Sequence, residues 1–281
     1  MKYVIAGGRG MLGSDLAAVL EGRDVVALSR DELNVTDAGS IRHALAGAGV
    51  VINAAAYTQV DAAESEEKTA LQVNGIGAGL LAREAAAIGA RFVQLSTDYV
   101  FNGKASSPYP EDAPLDPLGA YGRTKAEGER KVLREHPSPL IVRTAWLYGQ
   151  HGPNFVATML RLARDRDTVS VVTDQIGQPT WTRDLAGAII ALLDADAPAG
   201  IYHGTNSGQA SWFEFAQAIF TDAGLDPQRV LPTDSASFVR PAPRPSYSVL
   251  GHNSWTRAGL LPMRAWSSAL AAAFASGAFA R

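Results

Sequence analysis

Hydrophobic and polar positions along the first half of the chain alternate between two rhythms. Short, nearly all-apolar runs at Tyr3–Ala6, 24–28, Val50–Asn53, 91–95 and 140–143 predict buried strands. Between them, longer Ala/Leu-rich stretches at 11–21, 40–46, 66–88 and Ala120–Glu135 predict helices. Strands that are apolar along their whole length are expected where both faces of a sheet are covered. The strand–helix alternation therefore predicts an α/β fold around a doubly wound parallel sheet.

After about Arg143 the rhythm breaks. The pattern predicts a helix at 154–164, a strand at Val169–Val172, a helix at 182–193, a strand at 201–203 and a helix at 211–223. Ser211 with Glu214 three residues on has the spacing of a capping box. The Pro-rich stretch 227–245 reads as too irregular for further sheet. The domain boundaries expected from this are a sheet domain at 1–145, with segments around 168–205 returning to complete the sheet. A smaller C-terminal α/β lobe is expected from 146–167 and 206–281.

Composition narrows the classes. With 47% hydrophobic residues the chain can build a full core, and its net charge of -3 excludes a general nucleic-acid field. The absence of cysteine excludes disulfides, thiolate metal sites and a cysteine nucleophile. The N-terminal residues lack the long apolar run of a signal peptide. No stretch reaches the ~20 apolar residues of a membrane helix, and the Ala-rich run at 265–279 reads as a packed terminal helix. The expectation is a cytoplasmic protein with no membrane partner.

Candidate chemistry starts at Gly7-Gly8-Arg9-Gly10-Met11-Leu12-Gly13, between the first strand and first helix. Glycines at 7, 10 and 13 let the turn tighten, let a pyrophosphate approach the backbone, and let the helix pack on the sheet. The helix N-terminus then offers free N–H groups to the phosphates. The second strand runs into Ser29-Arg30, where a hydroxyl and a cation suit the 2′-phosphate of NADP; Asp31 follows, and NADH stays open. Tyr121 and Lys125, four apart on a predicted helix, share one face. A nearby cation favours the phenolate and is expected to lower the tyrosine's pKa. Ser96-Thr97-Asp98-Tyr99 follows a buried strand, at the carboxyl edge where ligands of such sheets sit.

These segments resemble the extended short-chain dehydrogenase/reductases, and among them the dTDP-4-dehydrorhamnose reductases. The resemblance extends through 33–37, 53–58, Val60-Asp61, 96–101, 121–125, 143–149, 174–180 and Arg244-Pro245, nearly end to end. It implies a Rossmann-like sheet with a substrate lobe, and reduction of the 4-keto group of dTDP-4-dehydro-L-rhamnose with NADPH. It implies Tyr121 as proton donor, Lys125 on the nicotinamide ribose and tuning Tyr121, and Thr97 on the substrate oxygen. Gly7, Gly10, Met11, Leu12 and Gly13 would form the pyrophosphate loop. Arg30 would lie near the adenosine ribose, and Asn34 and Val35 near the adenine. Ala56, Tyr57, Thr58 and Leu95 would flank the cofactor further along. Thr97, Asp98 and Trp146 would touch the sugar nucleotide, although Trp146 reads equally well as core.

Two departures bear on these expectations. Asn34 stands where the family often has Asp, and its amide can still accept and donate. Arg183 follows Pro179-Thr180 where magnesium-bridged members of the family would place a carboxylate. No metal is therefore expected, and the protein should be a monomer or a metal-independent dimer. Asp61, Glu64, Glu66 and Glu67 read as an acidic helix start. Arg240 and Arg244 read either as cations for the substrate diphosphate or as parts of a rigid loop. Two other functions stay open, an epimerase or dehydratase of a related sugar nucleotide and a non-catalytic regulatory subunit on the same fold.

Overall fold

The computed structural model describes residues 1–279. Five strands, β1 (Tyr3–Ala6), β2 (Val25–Leu28), β3 (Val50–Asn53), β4 (Arg91–Thr97) and β5 (Leu140–Thr144), join a sixth, Gly200–His203, in one parallel sheet. From one edge the order is Gly200–His203, β5, β4, β3, β1, β2. The chain first steps from β1 outward to β2, then returns to the other side of β1. That reversal between β1 and β3 opens the crevice in which doubly wound sheets bind ligands.

Both faces are covered, which explains the unbroken apolar strands. On one face, Leu12, Leu16 and Leu20 pack with Leu185, Ile189 and Leu193. On the other, Ile41, Leu45, Leu81, Ala85 and Val132 pack against Val4, Val51 and Phe92. The lobe has its own core, built around Tyr148, Phe215, Phe220 and Leu270. Among the described residues no helix is long and apolar enough to cross a membrane.

Helices start where their polar caps are. Asp37 accepts the Ser40 N–H at 2.5 Å ahead of Ala38–Leu45, and Asn154 accepts the Ala157 N–H ahead of Phe155–Asp165. Ser211 and Glu214 form the expected capping box at Trp212–Asp222.

Three expectations need correction. The stretch 66–88 is not one α-helix: Glu67–Leu71 passes through a π-turn, Gln72–Gly77, into Ala78–Ala87. The widened turn carries Asn74, whose buried side chain bonds outside its own helix. Second, the strand Val169–Val172 does not return to the central sheet, which only Gly200–His203 of that region joins. It pairs instead with Val230–Thr233 in the lobe. Third, that partner lies in the Pro-rich stretch read as free of sheet. Pro232 is tolerated because a two-stranded sheet is all edge, so a missing donor can face away from the partner. The helix expected at 265–279 spans Trp266–Ala275, and residues 280–281 of the predicted lobe lie outside the described residues.

Candidate active site

Gly7 follows β1 with φ of 78°, and a Cβ there would sit 2.7 Å from the Ala55 nitrogen. A Cβ on Gly13 would sit 2.1 Å from the Gly7 carbonyl oxygen. Only glycine lets this loop fold back on β3 and on the first turn of helix α1 (Met11–Val19). Gly10 is the N-cap of α1 and brings no side chain to its first N–H groups, those of Met11, Leu12 and Gly13. The result is an anion-receiving helix end at the sheet's crevice.

Past β2, Arg30 is exposed beside Ser29. An acid that sequence reasoning passed over also sits here. Glu32 accepts the Ser29 N–H at 2.9 Å and lies 3.8 Å from the Arg9 guanidinium. Hydrogen bonds from Ser29 hold its carboxyl below the usual range. Asn34 uses its Oδ1 to accept from the Thr36 N–H and hydroxyl, while Val35 is buried against Gly77. Ala56, Tyr57 and Thr58 follow β3 as irregular chain, and Asn74 pins Tyr57 at both its N–H and its carbonyl.

The reactive end gathers at the carboxyl end of β4. Thr97 donates to Asp98 Oδ1 at 3.0 Å and accepts the Tyr99 N–H at 3.2 Å. Asp98 is 1% exposed, and among the described residues its Oδ2 meets no partner. Burial pushes its carboxyl up to about 6, with the Ser248 and Thr97 side chains opposing. Tyr121, on the helix Ala120–Glu135, meets Tyr99 edge to face with ring centroids 5.6 Å apart. Lys125, one turn on, donates to the Leu95 carbonyl at 2.6 Å and is pushed down to about 8 by burial. The expected lowering of the Tyr121 pKa is not found. Burial, then the Asp98 charge, push the phenol up to about 12, while the Thr97 side chain acts the other way. The lysine's bonded partner is the Leu95 carbonyl, and desolvation outweighs any cationic effect on the phenol.

Supports for this helix come from places the sequence did not reveal. Glu64 accepts the Ala120 N–H at 2.8 Å, capping the helix from 56 residues away. Glu67 takes Arg123 with two bonds of 2.8 Å. The buried Asn74 donates to Thr124 Oγ1, which in turn donates to the Tyr121 carbonyl. A Cβ on Gly122 would lie 2.1 Å from the Tyr99 carbonyl oxygen, and one on Gly128 2.2 Å from that of Asn74. Glycine inside a helix costs about 1 kcal/mol, and here it permits close approach to both turns.

The acidic segment is thus more than a helix start. Asp61 binds the Pro-rich strap, taking the Ala242 N–H at 3.2 Å and Arg244 at 2.9 Å, with Arg240 at 3.9 Å. Arg244 also lies over the Tyr99 ring, 5.9 Å from its centroid. Glu66 accepts the Tyr57 hydroxyl.

Trp146 stands two residues past Thr144, which pairs with Thr97 across β4 and β5. Its φ is 45°, a left-handed conformation uncommon for a bulky residue. The indole stacks on Trp212 with centroids 3.6 Å apart and planes 7° apart, and it remains partly exposed. It packs with Trp212 against the lobe core and keeps part of its ring exposed. Among the described residues no group of three or more His, Asp or Glu side chains could hold a metal ion. Arg183 is exposed at the start of Thr182–Asp194.

Residues 1–278 match the RmlD substrate binding domain family. The chain belongs to this family. It is 51% identical to a dTDP-4-dehydrorhamnose reductase of Streptomyces griseus, covering 97% of this chain and 93% of that protein. It is 47% identical to a dTDP-4-keto-6-deoxy-D-glucose reductase of Streptomyces niveus, covering 97% and 96%. The fold superposes with a TM-score of 0.95 on the crystal structure of a dTDP-4-dehydrorhamnose reductase from Bacillus anthracis in complex with NADP. That pair is 39% identical and covers 98% and 100% of the two chains. In this RmlD-family chain, then, the glycine loop, Thr97, Tyr121 and Lys125 lie on one edge of a Rossmann-like sheet.

Proposed function

We propose that this chain reduces the 4-keto group of dTDP-4-dehydro-L-rhamnose to give dTDP-L-rhamnose, using NADPH. The observation that carries this reading is Tyr121, a phenol kept protonated beside Thr97 at the sheet edge that the glycine loop opens. Gly7 to Gly13 would hold the pyrophosphate, Arg30 the 2′-phosphate and Lys125 the nicotinamide ribose. Hydride donation to a carbonyl carbon is the chemistry that such a dinucleotide supplies when bound. Tyr121 and Thr97 would hold the carbonyl oxygen, and Tyr121 would give it a proton as it becomes an alkoxide. An alkoxide is a stronger base than a phenolate, so even a raised phenol pKa leaves that transfer downhill.

The NADP-bound relative and the exposed Arg30 support NADPH. Asp98 and Trp146 would meet the sugar, with residues 146–167 and 206–279 as the substrate lobe. A relative at 47% identity is named for a different dTDP-4-keto sugar, so the choice of sugar is what must be measured. Oxidation of NADPH is followed with dTDP-4-dehydro-L-rhamnose and with dTDP-4-keto-6-deoxy-D-glucose. A higher kcat/KM for the first supports the reading, and a preference for the second overturns it. We place the reaction in the cytoplasm, in a monomer or a metal-independent dimer.

A further inference from the structure

Among the described residues, four buried side-chain atoms have no hydrogen-bond partner: Asp15 Oδ2, Asp98 Oδ2, Thr144 Oγ1 and the Tyr148 hydroxyl. Burying a hydroxyl unpaired costs free energy, so one held at the mouth of a site calls for a partner that arrives with the ligand. Two of the four sit on one short edge. Asp98 follows the last residue of β4, and Thr144 is the last residue of β5. Asp98 already has a place in the proposed site, and Thr144 has none.

The direction of the Thr144 side chain follows from the register. β4 and β5 run parallel, with Val93 opposite Leu140, Leu95 opposite Val142 and Thr97 opposite Thr144. Partners in register project to the same face of a sheet. Val93, Leu95, Leu140 and Val142 all enter the core beneath α1, and Thr97 and Thr144 continue those two columns to the carboxyl edge. The intervening residues, Ser96 and Arg143, turn to the other face and meet there on Glu129. Neighbouring strands lie about 4.8 Å apart, which makes Thr97 and Thr144 immediate neighbours on one face. Thr144 is 7% exposed.

The two threonines differ in what they can still give. Thr97 has its hydrogen on Asp98 at 3.0 Å and accepts the Tyr99 N–H at 3.2 Å. While Asp98 is ionised, Thr97 has no hydrogen left for a substrate oxygen. The Thr144 hydrogen is uncommitted. A carbonyl oxygen turning into an alkoxide is stabilised by donors aimed at the place where charge develops, and Tyr121 is a single donor.

We propose that Thr144 is a further catalytic residue of the reduction, the hydroxyl that donates, together with Tyr121, to the substrate carbonyl oxygen. Thr144 gives a hydrogen bond that strengthens as the oxygen gains charge, and it keeps its proton. The proton that the alkoxide takes is the one from Tyr121. The proposal rests on the reading of this chain as a 4-ketoreductase with Tyr121 as its acid.

The test compares Thr144→Val, which keeps the branched shape and removes the hydroxyl, with Thr144→Ser, which keeps the hydroxyl. Rates are taken with whichever of the two dTDP-4-keto sugars the parent reduces faster, so the choice of sugar does not enter. Thr144→Val should lower kcat by about 10²-fold or more, the range for a lost oxyanion donor, with NADPH affinity unchanged. Thr144→Ser should recover most of that loss. Because the hydroxyl has no partner in the free protein, Thr144→Val should melt at or above the parental temperature. Parental kcat in Thr144→Val overturns the proposal. So does a loss that falls on NADPH affinity instead, which would put the hydroxyl on the cofactor, or a serine variant as slow as the valine one. A valine variant that melts far below the parent would reveal a structural partner for the hydroxyl and overturns it too. Tyr121→Phe tests the underlying reading separately. If it reduces substrate at the parental rate, that reading fails whatever the Thr144 variants show.

Discussion

Thr97 gives its one hydroxyl hydrogen to Asp98 at 3.0 Å, the residue next to it in the chain. That hydrogen cannot also point at a substrate oxygen while Asp98 is ionised and accepting it. A protonated Asp98 can donate instead and free the Thr97 hydroxyl. The protonation of one buried carboxyl thus governs what its neighbour can offer.

Asp98 should make the protein's stability depend on pH. Its folded pKa, about 6, lies above the ordinary 3.8, so the stability it contributes is present below about pH 4 and lost as pH rises through 6. The raise corresponds to about 3 kcal/mol. Asp98→Asn should therefore gain on the parent between pH 4 and 7 in denaturant titrations. A gap that stays constant with pH would show that Asp98 does not titrate there.

Tyr121→Phe should lower turnover by roughly 10²–10⁴-fold, the range for a lost general acid. Affinity for NADPH, followed by fluorescence, should hardly change. Because burial holds the phenol protonated up to about pH 12, no loss of parental activity below pH 10 should trace to this group. Parental turnover in the phenylalanine variant would remove Tyr121 from the mechanism.

Arg30→Ala should weaken NADPH binding and spare NADH. Glu32→Gln should do the reverse for NADPH, since it removes a negative charge from the Ser29 N–H and from beside Arg9. Binding titrations with both cofactors decide this. Equal losses for NADPH and NADH in Arg30→Ala would mean that the guanidinium does not meet the 2′-phosphate.

Trp146, in its left-handed conformation, stacks on Trp212, so Trp212→Leu should let the indole and its strained backbone relax. The expected outcome is a KM for the sugar nucleotide raised about tenfold, with NADPH affinity unchanged. An unaltered KM would show that Trp146 keeps its place without its partner.

Activity should not need magnesium. A magnesium bridge takes oxygen ligands from converging carboxylates, and where the resemblance would put one of them Arg183 stands instead, exposed and permanently charged. Light scattering and rate assays with EDTA and with excess magnesium should agree. A dimer that falls apart on chelation would sink this inference.

What the sequence determined by itself was local. Runs such as 50–53 and 140–143 announce buried strands because an element covered on both faces must be apolar throughout. The glycines at 7 and 13 are legible because no other residue fits a loop folded onto its own strand and helix. Tyr121 and Lys125 stood out because a four-residue spacing on a helix brings side chains to one face, and Thr97 because it ends a buried strand at the carboxyl edge of the sheet. What only the tertiary structure decided depends on partners far along the chain. Glu64 caps a helix from 56 residues away, and Asp61 holds Arg244 from 183 residues away. In the sequence both are simply acids near a helix start. Asn74 is a polar residue in an apolar helix until its π-turn points it at Tyr57 and Thr124. Val230–Thr233 is a strand only because Val169–Val172 lies beside it, since pairing and not propensity makes an edge strand. The protonation states of Asp98, Tyr121 and Lys125 belong to the same class. Each is set by how much water the fold removes from the group, and desolvation is a property of the packed surroundings rather than of the residue.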